Sequence, residues 1–134
     1  MIIVDENMDD DWVIDAIVSW YAGQVTSITA LRPNSVIKDE AIPTLLLRAH
    51  EPTFVTLNVF DFWKRVAVHQ GYGIITLNWQ QPRVFDALPF LRRCLRLPAF
   101  RTKAARMGKI VRLTPTRIEY YESDRRVRTL SWLA

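Results

Sequence analysis

The chain begins, after Met1, with IIVDEN at residues 2–7, a short apolar and mostly β-branched run that ends in two acids and an asparagine. Such a run is typical of a buried strand that delivers polar side chains to a loop. Residues 9–11 are all Asp, and carboxylates favour a helix N-terminus because they cap free N–H groups and oppose the helix dipole. Apolar residues at helical spacing continue as far as Tyr21. We therefore predict a strand followed by a helix in this first stretch.

The alternation of strands and helices continues along the chain. Apolar, β-branched runs predict further strands, and apolar residues at helical spacing predict further helices. The predicted strands cover residues 25–29, 53–57 and 73–77, and the predicted helices cover residues 39–50 and 85–97. The order strand, helix, strand, helix, strand implies right-handed crossovers and a mainly parallel sheet.

Two alternating runs near the C-terminus, at residues 110–113 and 117–121, predict an antiparallel β-hairpin, and a third run follows at residues 127–132. We therefore predict an α/β domain with a mainly parallel central sheet and a C-terminal antiparallel β-hairpin addition. Residues 1–97 are its α/β core, and residues 98–134 are a basic C-terminal helix and hairpin extension of the same domain.

Composition fits one ordinary domain, because the chain has 134 residues, of which 49% are hydrophobic and 24% charged. Cys94 is the only cysteine, which excludes an internal disulfide framework and a cysteine-based zinc site. We predict neither a signal peptide nor a membrane span, since no apolar run is long enough. The expected location is the cytoplasm.

Charge is divided unevenly along the chain. Residues 1–61 carry ten of the 14 acids and three of the 18 bases, a balance of −7, whereas the remaining residues have a balance of +11. A basic half suits a polyanion such as nucleic acid, and an acidic cluster suits divalent cations. Together they favour metal-dependent work on phosphodiesters. The alternative is that the arginines only keep a small protein in solution.

Acidic and amide side chains follow the predicted strands. Asp5 and Glu6 come directly after the first strand, Asn58 and Asp61 come after the third, and Asp39 stands at a helix start between them. Loops at the carboxyl ends of parallel strands converge on one edge, so we expect these side chains to share a pocket. Their oxygens are ligands that Mg²⁺ and Mn²⁺ prefer. Capping of its helix is the alternative role for Asp39.

These segments resemble the PIN-like domains of small bacterial proteins, which are relatives of the VapC-type toxin ribonucleases. The resemblance covers residues 1–95 and depends on three segments: VDEN at residues 4–7, Asp39-Glu40 with Ile42 opening a helix, and FVTLN at residues 54–58 followed by Asp61-Phe62. It implies a PIN-like three-layer α/β sandwich. It also implies a Mg²⁺- or Mn²⁺-dependent endoribonuclease, often encoded as a toxin beside a small antitoxin protein.

The resemblance also implies roles for single residues. Asp5, Asp39 and Asp61 would be the catalytic acids and metal ligands, with Glu6 and Asn58 completing the metal site. The chain departs from the family pattern at Asn58, where many members have an acid, and Asp61 lies one residue further along than in the commonest spacing. An asparagine binds a metal through its amide oxygen but contributes no charge.

The basic residues of the second half have two interpretations. In the first they bind RNA phosphates, and the predicted set is Arg92, Arg93, Arg96, Arg101, Lys103 and Arg106, with Tyr120, Tyr121 or Trp132 stacking on unpaired bases. In the second, those three aromatic residues pack the hairpin onto the core. We favour packing for the aromatic residues.

Three functions compete. The first is the metal-dependent ribonuclease, with RNA and an antitoxin as partners. The second is a catalytically degenerate PIN-like module that binds RNA or protein, because Asn58 lowers the charge of the metal site. The third, an unrelated nucleotide-cofactor enzyme, ranks last because no Gly-rich phosphate loop follows any predicted strand. Exposed aromatic residues on the first helix or the hairpin would also suit a homodimer.

Overall fold

A seven-stranded sheet organises the protein in the computed structural model, which describes residues 1–132. The strands are β1 (Ile2–Val4), β2 (Val25–Ser27), β3 (Thr53–Thr56), β4 (Gly73–Leu77), β5 (Ile110–Leu113), β6 (Arg117–Tyr121) and β7 (Arg128–Ser131). Their order across the sheet is β2-β1-β3-β4-β5-β6-β7. The first four strands in that order pair in parallel, as predicted, and β5 joins β4 in parallel as well. β5, β6 and β7 pair antiparallel.

The C-terminal strands continue the sheet of the predicted core. β5 pairs in parallel with β4, with Ile74 opposite Ile110, and β6 and β7 then extend the same sheet as an antiparallel meander. The predicted hairpin is confirmed, but its first strand is an inner strand of the common sheet rather than part of an appendage. Leu133 and Ala134, which end the predicted extension, lie outside the described residues.

Residues 1–132 contain five α-helices. They are α1 (Asp11–Val18), α2 (Ile42–Leu46), α3 (Val59–Phe62), α4 (Val84–Cys94) and α5 (Lys103–Arg106). Ile2 and Val4 of β1 pack in one apolar cluster with α1 and α4, whereas Ile3 packs in the other with α2 and α3. This alternation is that of a strand buried on both faces, so the sheet lies between two helical layers.

Several helices and strands are shorter than the sequence predicts. The predicted strand 25–29 ends at Ser27 because the Ser27 hydroxyl accepts a hydrogen bond from the Thr29 N–H and a 3₁₀ turn follows. The predicted helix 39–50 is a 3₁₀ turn at Asp39–Ala41 followed by α2, which has Pro43 in its first turn. Within residues 1–132, no helix has the length and apolar character needed to cross a membrane.

Candidate functional site

The order of the strands creates a crevice between β1 and β3. The chain leaves β1 for β2 on one side and returns to β3 on the other side, so the direction of winding reverses there. In open α/β sheets, ligands bind outside the carboxyl ends of strands at such a reversal. Asp5 directly follows β1, and Asn58 lies two residues after β3. We call this side of the sheet the carboxyl edge.

Asp5 is only 5% exposed, and hydrogen bonds hold both of its carboxylate oxygens. Oδ1 accepts from the Glu6 N–H at 2.7 Å, and Oδ2 accepts from the Thr56 hydroxyl at 2.6 Å. Burial raises the pKa of Asp5 above its ordinary value, against the effect of these two hydrogen bonds. Because Thr56 ends β3, the Asp5 carboxylate ties the ends of the two strands together.

Asn58 joins the other two predicted acids. Its Nδ2 donates to Asp39 Oδ2 at 2.9 Å and to Asp61 Oδ2 at 2.7 Å. Its Oδ1 accepts from the Asp61 N–H at 3.1 Å and so caps α3. One amide group therefore holds Asp39 and Asp61 on either side of its nitrogen. We call Asp39, Asn58 and Asp61 the acid–amide cluster.

Several negative charges surround Asp39 in the acid–amide cluster. The pKa of Asp39 is raised to about 6, chiefly by partial burial, then by a hydrogen bond with the Asp61 carboxyl and by the negative charges of Asp5, Asp61 and Glu40. Like charges that crowd a carboxyl favour its protonated form, and sites of this kind are enriched among functional centres. Asp5 is thus close enough to act on the cluster through its charge.

Glu6 stands apart from the cluster. It is exposed at the start of a 3₁₀ turn, and within residues 1–132 its side chain has no hydrogen bond or ion pair to Asp39 or Asp61. Of the five predicted metal ligands, the structure therefore brings together Asp39, Asn58 and Asp61, places Asp5 within electrostatic reach and leaves Glu6 outside.

Two cavities flank the cluster. One, of about 660 Å³, is lined by residues that include Lys38, Asp39, Asp61 and Arg65. The other, of about 580 Å³, is lined by residues that include Asn58 and Arg65. Arg65 lines both cavities and so stands beside the acids. Sequence reasoning missed Arg65, although it follows Asp61 by four residues.

Most of the predicted RNA-binding residues lie toward the opposite, amino edge of the parallel strands, whereas Arg93 contacts Trp132 beside the carboxyl end of β5. Arg106 and Lys103 are close enough to the amino group of Met1 for their charges to lower its pKa, after the larger effect of burial. Arg92, Arg96 and Arg101 line a cavity with Ala22, just before β2. β4 spans five residues, so roughly 17 Å separates the two edges. The basic residues at the amino edge therefore do not adjoin the acid–amide cluster.

Arg106 is buried, contrary to its predicted role in RNA binding. It is 3% exposed, and its guanidinium donates to the Thr53 hydroxyl at 2.7 Å, the Phe100 carbonyl at 3.0 Å and the Tyr21 hydroxyl at 2.8 Å. A guanidinium engaged in this way has no free face for a phosphate. Arg93, at the end of α4, donates to the Trp132 carbonyl at 2.7 Å.

The aromatic residues of the C-terminal strands pack inward, as favoured from the sequence. Tyr121 and Trp132 are buried, and the Trp132 indole N–H donates to the Thr114 carbonyl at 2.8 Å. Tyr120 packs edge-on against Phe100. Cys94 is buried as well, and burial raises the pKa of its thiol to about 12, which makes it unreactive.

The acid–amide cluster fits Mg²⁺ or Mn²⁺ in its donor chemistry, since two carboxylates and an amide converge with a third carboxylate nearby. A divalent cation would relieve the like-charge crowding at Asp39. In this arrangement, however, Asn58 turns its N–H groups, not its oxygen, toward the two carboxylates. No group of three or more His, Cys, Asp or Glu side chains with a metal-binding arrangement is present in the described part of the chain.

Comparison of the chain with family models, with curated proteins and with solved structures found no match.

Proposed function

We propose that the protein is a PIN-like endoribonuclease that depends on Mg²⁺ or Mn²⁺. The observation that carries this proposal is the meeting of Asp39 and Asp61 on the amide of Asn58 at the β1/β3 crevice, where partial burial and then the neighbouring carboxyl groups raise the pKa of Asp39 to about 6. Structural needs alone do not explain such crowding, because it opposes folding. The resemblance of residues 1–95 to PIN-like domains supports the same conclusion.

Each side chain of the site has a distinct task in this proposal. Asp39 and Asp61 would hold the cation, and Asp5 would add negative charge while it fixes the ends of β1 and β3. A bound Mg²⁺ or Mn²⁺ would supply a water of lowered pKa and neutralise phosphate charge. Arg65, which lines both cavities, would place a guanidinium beside the phosphate and stabilise its developing charge.

A second candidate function is a catalytically degenerate PIN-like module that binds RNA or protein. The observation that favours it is the position of Asn58 Nδ2, which donates hydrogen bonds to both Asp39 and Asp61. These hydrogen bonds stabilise the two carboxylates in the absence of a metal ion, as a bound cation would. If the Asn58 amide turned round to offer its oxygen to an ion, its NH₂ would face the Asp61 N–H and the cap of α3 would be lost.

A cleavage assay separates the two functions. Purified protein is incubated with a mixed-sequence single-stranded RNA in Mg²⁺, Mn²⁺ or chelator, beside an Asp39→Asn variant and a matched Asp15→Asn control. Asp15 is an exposed acid of α1 far from the cluster. If the protein is a ribonuclease, we expect cleavage that requires metal. The cleavage rate should fall about 100-fold or more in Asp39→Asn and stay unchanged in Asp15→Asn. Absence of cleavage by well-folded protein in either metal would favour the binding module.

Asp39→Asn is a better test than a change at Asp5. The Asp5 carboxylate accepts hydrogen bonds from Glu6 and Thr56 inside the fold, so its replacement affects stability as well as the site. The small antitoxin partner, the homodimer and the cytoplasmic location stay predictions.

A further inference from the structure

The second cavity of the carboxyl edge, here called the α3 cleft, shares Arg65 with the acidic cavity. Its volume is about 580 Å³, and its lining includes Asn58, Phe60, Trp63, Arg65, Asn78 and Arg112. We propose that the α3 cleft binds one nucleotide of single-stranded RNA, with the base stacked on Phe60 and the phosphate bound by Arg65 and Arg112. This inference rests on the proposed function in taking RNA as the substrate.

Phe60 forms an exposed aromatic platform at the mouth of the cleft. Its side chain is 73% exposed, although phenylalanine is usually buried. The Arg65 guanidinium lies 4.6 Å from the centre of the Phe60 ring, and this cation–π contact restrains the position of the ring. Every nucleobase has a flat face that stacks on such a ring, and each stacked base contributes substantially to the affinity for single strands.

The cleft retains positive charge for a phosphate. Arg65 makes no ion pair with a carboxylate anywhere in residues 1–132. Arg112 is paired at 2.5 Å with Glu119, which also faces Arg117 at 3.4 Å, so that two guanidiniums share one carboxylate. The Arg112 guanidinium also lies 5.0 Å from the centre of the Trp63 ring, which holds it at the cleft. Guanidinium groups are well suited to bind phosphate oxygens.

The placement of the cleft connects it to the acids. Asn58 lines the cleft and donates to both Asp39 and Asp61, while Arg65 lines the cleft and the acidic cavity alike. A phosphate on Arg65 would therefore lie next to the acid–amide cluster. The bases of duplex RNA are stacked on each other and cannot reach Phe60, so the ligand is single-stranded.

Binding is measured by fluorescence anisotropy with a labelled single-stranded oligoribonucleotide in chelator, so that cleavage does not interfere. Phe60→Ala is expected to weaken binding about tenfold or more, and Arg65→Ala several-fold. Phe60→Trp keeps the stacking surface and should restore binding. The matched controls are Phe85→Ala, an aromatic of α4 that is 51% exposed, and Arg48→Ala, an exposed arginine after α2; both should bind like the wild type. Thermal melting checks that each variant is folded.

The proposal is overturned if the wild type does not bind RNA, or if folded Phe60→Ala and Arg65→Ala bind as tightly as the wild type. It is also overturned if duplex RNA binds as well as the single strand, or if polyglutamate displaces the RNA as effectively as unlabelled RNA does. Binding that depends on Phe60 without cleavage in any metal would contradict the ribonuclease alone. Metal-dependent cleavage with unchanged affinity in both variants would contradict the cleft alone.

Discussion

At the amino edge of the parallel strands Arg106 is buried with hydrogen bonds to four partners, whereas at the carboxyl edge partial burial and then neighbouring carboxyl groups raise the pKa of Asp39 to about 6. The backbone also closes tightly around Arg106, because Gly73 leaves no room for a Cβ against the Arg106 carbonyl. The partners of Arg106 are dipoles that favour its charge. The neighbours of Asp39 include like charges that oppose its ionised form.

This difference separates a structural charge from a functional one. A buried guanidinium whose three nitrogens all donate hydrogen bonds inside the fold stabilises the packing around it. A carboxylate crowded by like charges lowers stability, and a chain that retains such a site gains something else from it. By this criterion we propose that the carboxyl edge, and not the amino edge, is the functional side of the sheet.

The largest expected effect is at the amino edge. Arg106→Met should lower the free energy of unfolding by about 3 kcal/mol, because it leaves the Thr53 and Tyr21 hydroxyls and the Phe100 carbonyl without a buried partner. Urea denaturation measures the change. Arg101→Ala, an exposed neighbour, should stay close to the wild type. A folded Arg106→Met variant of wild-type stability whose RNA affinity falls would show that the residue belongs to a binding surface.

An intermediate effect is expected for Asn58→Asp at the carboxyl edge. The change removes the two N–H bonds to Asp39 and Asp61 and adds a third carboxylate between them, while the new side chain still caps α3. In chelator at pH 8 the free energy of unfolding should fall by about 2 kcal/mol, and Mn²⁺ should restore it.

The control for this variant is Asn78→Asp, at an exposed asparagine that follows the neighbouring strand β4. It should lose little stability and should not respond to Mn²⁺. Equal losses in the two variants would mean that Asp39 and Asp61 do not crowd the amide of Asn58 as described.

The smallest effect concerns the pH dependence of stability. Because the pKa of Asp39 is about 6 in the folded chain and 3.8 ordinarily, the folded state binds this proton more tightly, and the stabilisation is lost as the pH rises through about 6. Asp39→Asn removes this dependence. In chelator, the free energy of unfolding of Asp39→Asn relative to that of the wild type should rise by about 1 kcal/mol between pH 4 and pH 8. This figure is smaller than the full pKa shift implies because Asp39 is partly exposed and solvent screens its charge. Parallel stability curves of the two proteins would contradict the shift.

The strands could be predicted well and the helices less well. β4, β5 and β6 have the limits that the sequence predicts, because apolar and alternating runs mark a strand locally. The sequence does not show that β5 joins β4 in parallel, since this pairing spans more than thirty residues. The sequence also does not show that α2 is short, because the 3₁₀ turn that precedes it depends on contacts with the rest of the fold.

The acids of the candidate site could be predicted because each lies next to a strand end or a helix start. The role of Asn58 could not, since the direction of its amide depends on the Asp61 N–H that it caps. The position of the basic residues relative to the acids could not be predicted, because the sequence does not show which end of the sheet the last turn of α4 reaches. Arg65 could not be identified from the sequence either, because spacing alone does not show that it lines the same cavity as Asp39 and Asp61.

Calorimetric titration of the metal-free protein with Mn²⁺ tests most directly whether the acid–amide cluster is a cation site. It is carried out at pH 6 in two buffers of different ionisation enthalpy, with Asp61→Asn and Asp15→Asn as partner variants. We predict that one ion binds per chain and that binding releases a fraction of a proton, because Asp39, whose pKa is about 6, is partly protonated at pH 6. Binding should be lost in Asp61→Asn and unchanged in Asp15→Asn. Absence of binding heat, or equal binding in both variants, would contradict the account.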